Sequence, residues 1–177
     1  SWSHIVFQNT SGTENWYING VRVYNATNNP NFSASATGVR AGLSPAYASM
    51  FFYGGYISDV RVLKGSNAYS NASTLTVPTA PLGSVTNTKL LTNFTNAAMF
   101  DQSGKTNIDT VGNAQLNTSI KKFGTASAKF DGTGDYLHIP RNFTPIGTGD
   151  YTIELFAYFT GNSSTSGGLF ASGNPSS

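Results

Sequence analysis

Asn19-Gly20 stands between two runs of β-forming residues, Trp16-Tyr17-Ile18 and Val21-Arg22-Val23-Tyr24, and this arrangement specifies a tight hairpin. A two-residue type I′ loop needs φ above zero at both central positions, which Asn and Gly tolerate best. The loop length then sets the register: Ile18 faces Val21, Tyr17 faces Arg22, Trp16 faces Val23 and Asn15 faces Tyr24. Alternation puts Trp16, Ile18, Val21 and Val23 on one face, expected to be the core side. Asn15, Tyr17, Arg22 and Tyr24 fall on the other. An aromatic ring flanked by Arg and Asn can stack on a pyranose and bind its hydroxyls, so these four are the candidate glycan-binding residues. The competing use of such tyrosines is packing on a loop or a neighbouring chain.

The same strand-and-turn grammar runs through the rest of the chain. Trp2 to Gln8 is nearly continuous apolar, as in a strand covered on both sides. Gly38 to Leu43, Met50 to Tyr53, Leu90 to Phe94, Val111 to Leu116, Ala126 to Phe130 and Tyr136 to Ile139 read as short strands. Asp150 to Phe159 reads as the longest. Gly55 to Leu63 alternates, placing Ser58, Val60 and Val62 on one face and Ile57, Asp59 and Arg61 on the other. No stretch has helical periodicity, so the fold class is all-β, an antiparallel sandwich or jelly roll. The pattern is interrupted at Val77-Pro78-Thr79-Ala80-Pro81-Leu82-Gly83, where two prolines remove backbone donors and fix φ. Residues 1–82 and 83–177 are therefore expected to be two pieces of sandwich, the back half of one and the front half of the next or of the same, permuted one.

Composition narrows the partners. Charged residues make up only 10% of the 177, and Asn, Ser, Thr and Gly supply the polarity. Such a surface suits uncharged polar ligands or neighbouring copies better than polyanions. Lys121-Lys122 is the only adjacent basic pair, which argues against a nucleic-acid interface. The absence of cysteine excludes disulfides and thiolate metal sites. No apolar run approaches the roughly 20 residues of a membrane span, so no membrane insertion is expected. With no initiator Met and no signal peptide, the chain is expected to be a processed or excised part of something longer.

Few residues carry chemistry. Asp59 and Arg61 share a face and are expected to pair and tie down the following loop. Asp101 to Asn107 has the outline of a calcium loop but fails it, because Lys105 occupies the third ligand position and the glycine comes two places early. Asp131 and Asp135 flank Gly132 and Gly134, and they either reach one calcium ion or cap the turn. No other cofactor is indicated. His138 is a lone strand histidine, at the surface or satisfied in the core. Asn-x-Ser/Thr sequons at Asn25, Asn71, Asn93, Asn142 and Asn162 are glycosylation acceptors only in a eukaryotic secretory route.

Several stretches resemble the laminin-G-like, or concanavalin A-like, jelly-roll family. Trp2-Ser3-His4-Ile5 is similar to its W-x-H-[IV] strand, and Tyr17-Ile18-Asn19-Gly20 to its Y-[IV]-N-G hairpin. Gly55-Tyr56-Ile57-Ser58-Asp59-Val60-Arg61 resembles G-x-I-D-[DE]-[VL]-R. Phe130-Asp131-Gly132-Thr133-Gly134-Asp135-Tyr136 resembles F-D-G-x-G-D-Y, and Tyr151-Thr152-Ile153-Glu154 resembles F-T-[IV]-E. In that family the glycine-rich block comes early and the hairpin late, whereas here the late block comes first. The resemblance thus implies a jelly-roll sandwich with half-domains in permuted order. Either the chain is a slice from a tandem array, which is the expectation favoured by its missing middle strands, or its two halves close on each other.

Tandem cysteine-free copies of this kind resemble modules of bacterial-virus fibres and decoration proteins and of microbial adhesins. The implied function is non-enzymatic, at an extracellular or virion surface, with free or cell-surface glycans, neighbouring copies or flanking repeats as partners. The alternatives are a glycoside hydrolase on the same fold or a purely self-assembling fibre subunit. Retaining hydrolases need two carboxylates about 5 Å apart. Glu154 is followed on its own face by Phe156 and Tyr158, with no second acid, so no catalytic residue is assigned.

Overall fold

A computed structural model describes residues 1–27, 38–44, 51–95, 98–104, 106–140, 147–160 and 168–172. The sequons at Asn142 and Asn162, and Lys105 of the rejected calcium loop, lie outside them. The strands are β1 (Trp2–Thr10), β2 (Thr13–Ile18), β3 (Val21–Thr27), β4 (Gly38–Ala41), β5 (Leu43–Ser44), β6 (Phe51–Phe52) and β7 (Gly54–Lys64). They continue with β8 (Thr88–Thr92), β9 (Asp109–Val111), β10 (Gln115–Asn117), β11 (Ser127–Asp131), β12 (Tyr136–Pro140), β13 (Tyr151–Phe159) and β14 (Phe170–Ser172). Among the described residues there is no helix, and every pairing between these strands is antiparallel.

The large sheet has the order β10-β11-β7-β13-β1-β2-β3, with β8 also on β7. A smaller sheet has the order β14-β4-β12-β9, and β5 and β6 form a separate two-stranded ribbon. β13, from the second half of the chain, lies between β1 and β7 from the first half. Strands from both sides of the prolines thus pair within one sheet. One core joins the two sheets: Ile5, Ile57, Val60, Val62, Ile153 and Leu155 of the large sheet meet Ala41, Leu137 and Ile139 of the small one. The face that carries these residues is called inner below.

β7 is the longest strand among the described residues, at eleven residues, rather than β13 at nine. It also breaks the expected alternation. Arg61 pairs with Glu154 and Ser58 with Phe156, so Asp59 and Val60 together oppose the single residue Leu155. This bulge, with Asp59 at φ 53°, puts Ile57 and Val60 on the same side, and both enter the core. The expected strand from Val111 to Leu116 is likewise divided. Gly112 turns at φ 74° and sends β9 and β10 into different sheets. A Cβ on Gly112 would sit 2.5 Å from Asp135 Oδ1, so the turn admits no larger side chain.

The outer face of the large sheet is covered by residues 65–83, which include the prolines. This strap is moored at both ends and in the middle. Ala68 N–H donates to Thr152 Oγ1 (3.0 Å), Tyr69 exchanges bonds with Gln8 (3.1 and 3.3 Å), and Arg22 N–H donates to Ser73 O (3.0 Å). Leu75 N–H reaches Gly20 O (2.8 Å), and Leu82 N–H reaches Asp59 Oδ1 (3.3 Å). Leu82 also packs with Leu91 and Phe156, flanked by Trp2, Val77 and Phe123, in a second, smaller apolar cluster.

Candidate functional site

The hairpin forms as its turn chemistry requires, with Asn19 at φ 50° and Gly20 at φ 82°. Its faces do not follow the simple register. Ile18 pairs with Val21 and Tyr17 with Arg22, but Trp16 pairs with Tyr24 and Asn15 with Asn25, so Val23 is an extra residue in β3. The expected solvent face of Asn15, Tyr17, Arg22 and Tyr24 is therefore corrected. Asn15 and Tyr17 are fully buried, and the Tyr17 hydroxyl donates to Ala72 O of the strap (2.9 Å). Asn15 Oδ1 accepts from Asn25 Nδ2 (2.8 Å) and Arg22 Nη1 (3.4 Å), and the same guanidinium nitrogen reaches Asn71 Oδ1 (3.4 Å). Tyr17 and Arg22 thus hold the strap, and Asn15 holds Arg22. Tyr24 crosses to the other side and lies against the Trp16 ring at 4.6 Å between centroids.

The expected core residues of the hairpin are in turn exposed: Trp16 at 38%, Ile18 at 43%, Val21 at 57% and Val23 at 55%. Trp16 and Ile18 sit beside Phe7 and Ile5 on the inner side. They nonetheless keep a large exposed area, so the described residues do not close over the inner side at the hairpin end. There the inner face forms a hollow of about 210 Å³ lined by Phe7, Glu14, Trp16, Tyr151, Ile153 and Phe170. Glu14 is buried, and its Oε1 accepts from Trp16 Nε1 (2.9 Å).

Under the strap, four residues from distant parts of the chain meet. Glu154 is fully buried at the centre of β13. Its Oε1 accepts from His4 Nε2 (2.7 Å) and from the Tyr69 hydroxyl, and its Oε2 accepts from Arg61 Nη2 (2.6 Å). Arg61 also donates from Nη1 to Gly83 O (2.9 Å). Desolvation pushes the Glu154 carboxyl up, but the His4 bond, the Arg61 charge and the Tyr69 hydroxyl together outweigh it and hold the group below its ordinary value. A carboxylate kept ionised and occupied by three donors is a poor proton donor to a substrate.

Asp59 and Arg61 do not pair with each other. Asp59 accepts from Ser58 Oγ (2.7 Å), Leu82 N–H (3.3 Å) and Asn93 Nδ2. Both residues do hold the following segment, as expected, but each by its own bond to the strap. Burial pushes the Asp59 carboxyl above its ordinary value, the opposite direction from Glu154, because its partners are neutral donors.

The glycine-rich turn uses its acids as caps. Asp135 is buried, and its two oxygens accept from Asn113 N–H (2.8 Å) and Asp131 N–H (2.9 Å). Asp131 accepts from Thr133 N–H (2.7 Å) and Asn113 Nδ2 (3.1 Å). Each of the four carboxylate oxygens thus accepts one N–H donor. Among the described residues no group of three or more His, Cys, Asp or Glu is placed to hold a metal. His138 Nδ1 lies 3.6 Å from Asp109 Oδ2 on a half-buried stretch of β12. A larger hollow of about 590 Å³ borders the turn from Met99 to Asp109. Asp101 there is engaged by Leu91 N–H (2.8 Å) and by Ser103 N–H (2.9 Å) and Oγ (2.7 Å).

Sequence reasoning missed the meeting of His4, Arg61 and Glu154, although all three stand at motif positions. It also missed the hollow at Trp16, because that face was assumed to be covered. Comparisons with family models, with curated proteins and with solved structures give no match.

Proposed function

We propose that the chain is a non-enzymatic module of jelly-roll type, similar to the laminin-G-like sandwiches, that serves at an extracellular or virion surface and binds glycans. The observation that carries the non-enzymatic part is the state of Glu154, the acid on which the hydrolase alternative rests. It is buried, ionised and bound by His4, Tyr69 and Arg61. The family reading draws support from the convergence of His4, Arg61 and Glu154, each from a different motif, on that one cluster. Glycan binding moves from the Tyr17 face to the exposed Trp16 and Tyr24 rings, which offer a stacking surface at the open end of the sheet. A glycan array is the test: binding that is lost in Trp16→Ala supports the reading, and an empty array removes it. Release of reducing sugar abolished by Glu154→Gln would restore the hydrolase.

The exposed row of Ile18, Val21 and Val23 favours a second reading, a structural repeat that packs against neighbouring copies. Sedimentation velocity over a wide concentration range separates the two. Self-association weakened by Val21→Lys, with no glycan bound, leaves a fibre subunit.

A further inference from the structure

The hollow beside Trp16 has a composition unlike the rest of this neutral, hydroxyl-rich surface. Three neighbouring strands build its floor. Phe7 on β1 pairs with Ile153 on β13 and with Trp16 on β2, and Asn9 in the next row on that face pairs with Tyr151 and Glu14. Phe170 on β14 closes it from the small sheet. Phe7 and Trp16 meet at 85° with centroids 5.6 Å apart, so they form two walls at a right angle. The lining is therefore four aromatic rings, one isoleucine and one carboxylate, without a lysine or arginine among the described residues that border it.

Aromatic faces carry negative potential and attract cations within about 6 Å of the ring centroid. Glu14 adds a carboxylate to the lining, and burial followed by the Glu14 carboxylate raises the Tyr151 phenol above its ordinary value. A neutral sugar would find few hydrogen-bonding groups in this lining, and a primary ammonium needs acceptors for three N–H bonds. A quaternary ammonium has no N–H to satisfy and presents methyl groups to the rings. We infer that the hollow lined by Phe7, Glu14, Trp16, Tyr151 and Phe170 is a binding site for a methylated ammonium group. This stands apart from the glycan reading and holds whether or not the exposed indole also stacks on a sugar.

The test follows the Trp16 indole N–H resonance, assigned by its persistence in Trp2→Phe, while the folded chain is titrated with choline or with a peptide carrying Nε-trimethyl-lysine. Saturable shifts with either probe are expected, and their relative affinity assigns the source as a choline group or a modified side chain. The uncharged carbon isostere of choline, 3,3-dimethyl-1-butanol, should bind about tenfold more weakly or worse, and Glu14→Gln should weaken choline by a similar factor. No shift with either cation overturns the inference. So does equal binding of choline and its isostere in the wild-type chain, a comparison that does not depend on the variant folding. Titration with neutral oligosaccharides in the same assay reports on the glycan reading separately.

Discussion

Both faces of the large sheet are buried around β13, but by opposite means. On the inner face Ile153 and Leu155 join a continuous apolar core shared with the small sheet. On the outer face Glu154 is enclosed with His4, Arg61 and Tyr69, and Asp59 lies nearby beneath the same strap. The apolar side gains from area removed from water and tolerates changes that keep volume and polarity. The polar side is worth little in net terms while complete, yet every missing partner leaves an uncompensated charge. One strand thus presents a forgiving face and an exacting one.

The largest expected effect breaks the exacting face. Arg61→Met leaves Glu154 buried without its guanidinium and should destabilise the chain by about 3–5 kcal/mol in urea unfolding. Adding Glu154→Gln to that variant should recover a large part of the loss, because the second change removes the stranded charge. If the double variant is as unstable as the single one, the network stabilises by shape rather than by charge. Next comes Ile57→Val on the inner face, which deletes one methylene from a fully buried position. It should cost about 0.5–1.5 kcal/mol by the same measurement.

Tyr17→Phe removes only the hydroxyl bond to Ala72 O and should cost about 1 kcal/mol, with faster hydrogen exchange at Arg22, whose N–H donates to Ser73 O of the strap, and at Leu75 of the strap, whose N–H donates to Gly20 O. Acid should separate the faces without any mutation. The Glu154 carboxyl is depressed when folded, so its contribution is present above the unfolded value of 4.5 and is lost as pH falls through the folded one. Asp59 is raised and acts in the opposite sense, which makes the folded state gain relative stability as Asp59 protonates below its own folded value. The Glu154 contribution should therefore be lost below about pH 4.5, and Glu154→Gln should remove that part of the acid response. The smallest effect belongs to Val21→Thr at the exposed hairpin, expected within about 0.5 kcal/mol.

What was legible in the sequence was local. The Asn19-Gly20 turn is determined by the φ requirements of two adjacent residues, and it forms as read. The all-β class follows from turn residues repeated along the chain. The faces were less legible, because each depends on residues far away. Val23 and the Asp59-Val60 pair each add one residue to a strand, and one extra residue moves every later side chain to the opposite side. Nothing in the local pattern of Tyr17 announces that residues 71–74 will lie over it. The reading of Glu154 did not reach His4 and Arg61, which bind it in space but are far from it in sequence. The signal that could have found them was the polar pattern itself: His4 precedes Ile5-Val6-Phe7, Arg61 stands between Val60 and Val62, and Glu154 between Ile153 and Leu155.

The placement of β13 has a consequence for how the protein comes into being. β1 leaves the ribosome well before its partner on one side, a strand about 150 residues downstream, as the separation of His4 and Glu154 records. At synthesis rates of about 5–20 residues per second, the first strands wait seconds for that partner. During this interval β1 and β7 each lack the neighbour that β13 will provide, and the carboxylate that His4 and Arg61 will bind does not yet exist. Folding is thus deferred to a late, long-range insertion, the step that sets the pace in sheets built from distant pairings. A nascent chain of this design depends on whatever shields its open strand edges until residue 159 has emerged.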